Sequence, residues 1–192
     1  TNFLKKRTFE FIGLILISAG IGLAIAFATY SPEDPSFVYG DREFEIKNFF
    51  GIYGSSIADF LLQSFGLVSF LILANLLFWG INLIIQKKIK RIVFKLFLVV
   101  SYLVLGTIFI YITSNNSFWL IDNGNSGFVG KIGYDFLSAW FPYIDNTYSA
   151  YGLLLLTLIF FIFSADLNIK KIITGTLFIF ASLFRRKENT IP

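Results

Sequence analysis

Residues 48–85 read NFFGIYGSSIADFLLQSFGLVSFLILANLLFWGINLII, and this stretch decides the fold. Its second half, 65–85, carries no charge. An α-helix needs about 20 such residues to cross a ~30 Å hydrocarbon core. The first half is a different object. Gly51, Gly54, Ser55 and Ala58 recur at helical spacing, so one face is nearly bare and another backbone can come close. Ser55, Asp59 and Gln63 follow at i, i+4 and i+8 as a polar stripe. The pattern predicts a helix lying in the interface, packed on its neighbours, that turns at Gly66 into the crossing.

Composition extends this reading to the whole chain. Of 192 residues, 56% are hydrophobic and 15% charged, and the mean hydropathy is +0.72. Soluble domains run at about 45–50% apolar and ~25% charged, so the class is integral membrane protein. His and Cys are both absent. That removes disulfides, a thiolate nucleophile, the usual neutral-pH base and the commonest metal ligand. No catalytic, cofactor-binding or metal site is expected. The net charge of +4 would suggest nucleic acid in a soluble protein. Here the basic residues flank apolar spans, and membrane orientation accounts for them.

Residues 1–8, with Lys5, Lys6 and Arg7, are expected in the cytoplasm. The apolar run 9–30 is too long for a signal-peptide core and reads as a retained first span. Ser18, Gly22 and Ala26 form one row of small residues, and Gly20, Ala24 and Ala28 the next, which suits close helix packing. The loop 31–47 opens with SPEDPSF, a rigid turn because Pro35 disfavours helical geometry at Asp34. Glu33 and Asp34 could hold a cation. With no third oxygen ligand placed nearby, a solvated turn is the expected reading. In the second span, 65–85, Asn75 lies near the middle with Trp79 and Asn82 on its face. A mid-membrane amide is costly without hydrogen bonds, so this face should meet another helix; a polar pathway is the alternative.

The basic connector 86–95 is short, so the third span, 92–113, forms a hairpin with the second, and Lys95 can snorkel out. The longest loop, 114–146, contains an apolar and aromatic segment, 127–144, expected to be a short interfacial helix ended by Pro142. Trp119, Trp140, Tyr134, Tyr143, Tyr148 and Tyr151 read as an aromatic belt. The fourth span is placed at about 148–166, with Asp166 at its exit. Residues 172–184 are apolar but too short to cross, and bracketed by Lys170, Lys171, Arg185, Arg186 and Lys187 they should lie on the surface.

The expectation is an all-α membrane protein with four spans and interfacial helices before span 2, before span 4 and after span 4. Residues 9–166 form the membrane domain, and 167–192 a cytoplasmic interfacial helix and the start of a linker. Lys and Arg concentrate at the N-terminus, in 86–95 and after Asp166, so both termini are expected inside.

The residues TYSPEDPSF at 29–37 resemble the SYxPxDPSW segment of the four-span N-terminal domain of FtsK-type DNA translocases (the FtsK/SpoIIIE family). Asn48-x-x-Gly51-x-x-Gly54-x-x-x-Ala58-Asp59, running on through Leu61-Leu62-Gln63-x-Phe65-Gly66 to Trp79-Gly80, resembles that domain's second block. Gly127-x-x-Gly130 and Tyr151-Gly152 match a third block more loosely. Phe37 replaces the usual Trp, and Ser55 stands where Ala is common.

The resemblance implies a membrane domain that anchors a cytoplasmic ATPase motor at the bacterial division septum, in the cytoplasmic (inner) membrane. It implies homo-oligomers, hexameric by family, and contact with other division proteins. DNA, ATP and Mg would belong to the motor. No G-x-x-x-x-G-K-[ST] phosphate cradle occurs here, so the ATPase motor is expected to be absent from this chain, which reads as no enzyme. The expected function is anchor and assembly module, coupling cell division to chromosome segregation. A small transporter or channel subunit is the alternative, though its buried ionisable groups are missing. An intramembrane enzyme is weaker still, since Asp59 and Asp166 lie near span ends. Residues expected to serve packing or partner contact are Gly51, Gly54, Ala58, Asp59 and Asn75. Asp59 is either a hydrogen-bonding prop of the packed helix or part of a surface read by a partner.

Overall fold

The computed structural model describes residues 2–37, 45–88, 91–117, 119–120, 122–167 and 174. Among them the secondary structure is helical: α1 (Asn2–Ala28), α2 (Gly51–Phe65), a 3-10 turn (Gly66–Val68), α3 (Ser69–Gln86), α4 (Ile92–Ser114), α5 (Gly127–Trp140) and α6 (Thr147–Ser164). Four stretches are long and apolar enough to cross a membrane: Phe3–Ala28, Gly51–Gln86, Ile92–Ser114 and Thr147–Ser164. The surface helix expected at 172–184 lies outside the described residues, Thr174 apart.

α1 begins earlier than residue 9, running through the basic N-terminus. Arg7 bridges to Glu10 one turn on at 2.5 Å, and Lys87 reaches the same carboxylate at 2.5 Å. α1 and α3 run antiparallel with backbones in contact. A Cβ on Gly13 would sit 2.8 Å from the Gly80 carbonyl oxygen, and one on Gly80 would sit 2.7 Å from that of Gly13. Gly20 abuts Leu77, with a Cβ–Cδ2 distance of 2.7 Å. Lipid gives helices no hydrophobic reason to associate, so backbone approach and its many dispersion contacts must hold the pair. The row Ser18–Gly22–Ala26 does not carry this contact. Gly22 meets nothing nearer than Phe50 at 4.0 Å, while Ala26 is buried against α2 with Leu23, Phe27 and Tyr30.

α4 and α6 form the second antiparallel pair. Gly106 admits Thr157, with a Cβ–Cγ2 distance of 3.0 Å, and Tyr102 stands edge-on to Phe161 with ring centroids 5.6 Å apart. Lys95 does not snorkel. Its side chain is 13% exposed and pairs with Asp166 past the end of α6. The Asp166 carboxylate within reach holds the ammonium at the end of α6.

The predicted break falls at Gly66, where φ is +54°. A Cβ there would lie 1.9 Å from the Asn125 carbonyl oxygen, which accepts from the Leu67 N–H at 2.9 Å. Only glycine combines that left-handed backbone with so close an approach. α2 and α5, at 15 and 14 residues, reach roughly 21–23 Å at a 1.5 Å rise and are too short to cross alone. α5 turns Gly130 and Gly133 onto Thr107 and Ile108 of α4 and leaves Ile132, Phe136 and Trp140 exposed. The aromatic belt is smaller than expected. Trp119 packs edge-on against Tyr30 at 5.5 Å, and Tyr134 packs on Tyr111 and donates to Asp145 at 3.0 Å. Trp140, Tyr143, Tyr148 and Tyr151 remain exposed.

Candidate functional site

At the α2 end of the bundle, the SPEDPSF turn and the start of α2 form one hydrogen-bonded knot. The Asp34 carboxylate accepts the Lys47 N–H at 2.9 Å and the Asn48 N–H at 2.8 Å. Asn48 donates its amide to the Ala26 carbonyl at 2.9 Å and accepts from the Phe50 N–H at 3.2 Å. Ser55 Oγ donates to the Pro35 carbonyl at 2.6 Å, and Thr29 Oγ1 accepts from the Phe49 N–H at 3.1 Å. Asp34 is 7% exposed, so the expected solvated turn is corrected for this residue. The correction has a physical reason: the carboxylate replaces water with two backbone donors. Glu33 does face solvent, where the Lys47 ammonium 2.5 Å away holds it below the usual carboxylate range.

The knot redefines the small face of α2. A Cβ on Gly54 would lie 2.0 Å from Asn48 Oδ1 and 2.7 Å from Phe50 Cβ, so its close approach is to the preceding turn and not to a span. Gly51 has open space around it, and its φ of +61° makes it a conformational position. Ala58 is fully buried against α1, beside Leu62.

The polar stripe continues from the knot. Asp59 accepts from the Tyr30 hydroxyl at 3.1 Å, and Gln63 donates to that oxygen at 3.2 Å. Asn123 donates to Gln63 Oε1 at 2.8 Å, tying in the 114–126 loop. Burial pushes the Tyr30 hydroxyl well above its ordinary pKa, and the Asp59 charge adds to this, so the phenol stays protonated and donates. Asp34, Asp59 and Asp122 line a groove of about 630 Å³ flanked by Phe60 and Phe128. Among the described residues no group of His, Cys, Asp and Glu could hold a metal.

Deep in the bundle, Asn75 is 3% exposed and donates to the Tyr102 hydroxyl at 3.2 Å and to Ser164 Oγ at 2.9 Å. Trp79 Nε1 donates to the Ser164 carbonyl at 2.7 Å, and Asn82 to the Ala165 carbonyl at 3.0 Å. The face of α3 therefore meets the end of α6 and satisfies carbonyls that have no intrahelical partner. Asn75 Oδ1 is buried without a partner among the described residues. Reading the sequence for site residues passed over Gly13, Gly80, Tyr30, Asn48, Asn123 and Ser164. A signal existed for the glycines, each in an apolar run where glycine has no helical advantage.

Long apolar helices, interfacial helices and polar groups tied to one another define a multi-pass helical membrane domain. Residues 5–177 match the 4TM region of DNA translocase FtsK/SpoIIIE, and the chain belongs to that family. It is 30% identical to DNA translocase FtsK of Rhizobium meliloti over 133 residues, 69% of this chain and 15% of that relative. Identity is 32% over 94 residues with the Azospirillum brasilense translocase, 48% of this chain and 15% of the relative. With that of Rickettsia prowazekii it is 39% over 69 residues, 36% of this chain and 9% of the relative. The matched stretches thus span 9–15% of these relatives' length. The matched region is their membrane domain and not their ATPase motor. No solved structure matches the chain.

Proposed function

We propose that this chain is the membrane anchor and assembly domain of a bacterial DNA translocase. It holds the motor in the cytoplasmic membrane at the division septum and couples cell division to chromosome segregation. The observation that carries this reading is the family match over residues 5–177. The geometry supports it, because the segments that carry the resemblance, 29–37 and 48–59, build the same hydrogen-bonded knot. Homo-oligomerisation, as a hexamer, and contacts with other septal proteins belong to the same proposal. ATP, Mg and DNA are handled by the motor. A transporter gains no support: α3 and α6 contain no charged residue, and the amide nitrogen of Asn75 is engaged with α4 and α6.

The test is a fluorescent fusion of residues 1–192 in dividing cells with a labelled septum. Enrichment at the septum is expected. An intact fusion spread evenly around the membrane would overturn the septal role while leaving membrane insertion untouched.

A further inference from the structure

The helix pairs of the bundle meet unevenly. α1 lies along α3 and α4 lies along α6, whereas α3 meets α6 over a short stretch. Toward the Gln86 end of α3, beside the contact of Trp79 and Asn82 with the end of α6, lies a cleft of about 160 Å³. Its walls are Ile12 and Leu16 of α1, Leu83 of α3 and Ile92 of α4, with Lys88 and Lys95 at the rim. Trp79, Asn82, Gln86 and Asp166 also face it, but each is engaged, the first two with the end of α6, Gln86 with Asn82 and Asp166 with Lys95.

We propose that this cleft binds an anionic phospholipid from the surrounding leaflet. An acyl segment fills the apolar walls and the phosphate lies between Lys88 and Lys95. The walls between these polar groups are aliphatic, and an acyl segment laid along them leaves no polar group of its own unsatisfied. Charge selects the head group. Lys88 is exposed and has no ion pair among the described residues. Lys95 spends one of its three N–H donors on Asp166. Of the neighbouring cations, Lys87 is already paired with Glu10, which leaves Lys88 as the cation at the cleft without an ion pair among the described residues. A zwitterionic lipid would bring its own cation into that field, and an anionic one would not. Basic pockets between membrane helices recognise acidic head groups in this way.

The test uses the full-length protein in nanodiscs of phosphatidylcholine with graded phosphatidylglycerol. Lipid retained after transfer to detergent is counted by native mass spectrometry. The parent should retain phosphatidylglycerol in preference to phosphatidylcholine. Lys88→Gln should weaken that retention about fivefold, the effect of one cation near the surface, and Lys88→Arg should restore it. Leu16→Trp, which fills the cleft and leaves the charge alone, should abolish it. Lys5→Gln removes an exposed cation of α1 that does not line the cleft and should change nothing. Equal loss with Lys5→Gln, equal retention of phosphatidylcholine, or no rescue by arginine would overturn the proposal. Competition by soluble glycerol 3-phosphate at matched concentration would make the site one for free phosphate, and would overturn it too.

Discussion

Asp34→Ala removes the acceptor that joins the 31–37 turn to α2. The carboxylate takes the Lys47 N–H at 2.9 Å and the Asn48 N–H at 2.8 Å. Hydrogen bonds to a charged group contribute about 1.5–3 kcal/mol each. The two losses do not count equally. Lys47 is exposed, so its amide can turn to water, while Asn48 is 4% exposed and its amide is left without a partner. A total of about 4 kcal/mol follows, taking the low end for Lys47 and the middle for Asn48. For a chain of this size that is roughly 8–16 °C in melting temperature. Asp34→Asn keeps one acceptor oxygen and should recover about half of the loss. Glu33→Ala, one residue away, should leave melting unchanged because both partners of its bridge to Lys47 are exposed. Circular dichroism melts in one detergent compare the variants. If Asp34→Ala melts with the parent, or Glu33→Ala falls as far, the knot does not stabilise the domain.

Gly80→Ala should cost about 1–3 kcal/mol as overpacking, because its Cβ would lie 2.6 Å from Ile17 Cγ1 and 2.7 Å from the Gly13 carbonyl. Gly152→Ala on α6 meets nothing within 4 Å and should be neutral or stabilising, and equal losses in melting would refute the backbone contact. Tyr30 carries a raised pKa, so the folded state holds its proton longer than the unfolded state. Its contribution is therefore complete below the unfolded value of about 10 and falls as pH rises above it. Tyr30→Phe should flatten the alkaline part of the stability profile, and an unchanged slope in melts across that range would exclude this residue as its source. Single cysteines at Ser36 and Asn123 should react with impermeant thiol reagent added outside, and one at Gln86 should not; labelling at 86 would invert the topology.

Much of the architecture was legible because membrane crossing is a one-dimensional requirement. A helix must supply about 20 apolar residues wherever it stands, and that can be counted along the chain. The same holds for Gly66, where glycine between a polar-striped helix and an uncharged one marks a bend. The face of Asn75, Trp79 and Asn82 was legible as well, since an amide in hydrocarbon has to find a partner. Its partners were not, because Ser164 lies 89 residues away along the chain.

The helical class, the apolar spans and the faces that must be covered can thus be read along the chain. Each follows from composition and period, which are local. Which small residues touch depends on the packed bundle. Gly13, Gly20 and Gly80 bring α1 and α3 together, while Gly51 faces open space and Gly54 faces its own preceding turn. Small residues permit approach on every face they occupy, and the neighbour that takes up the permission is chosen by packing across the whole bundle. The fates of Glu33 and Asp34 divided for the same reason. Adjacent carboxylates are alike as residues, and only the folded position of the Lys47 and Asn48 amides makes one of them a structural acceptor and leaves the other in solvent.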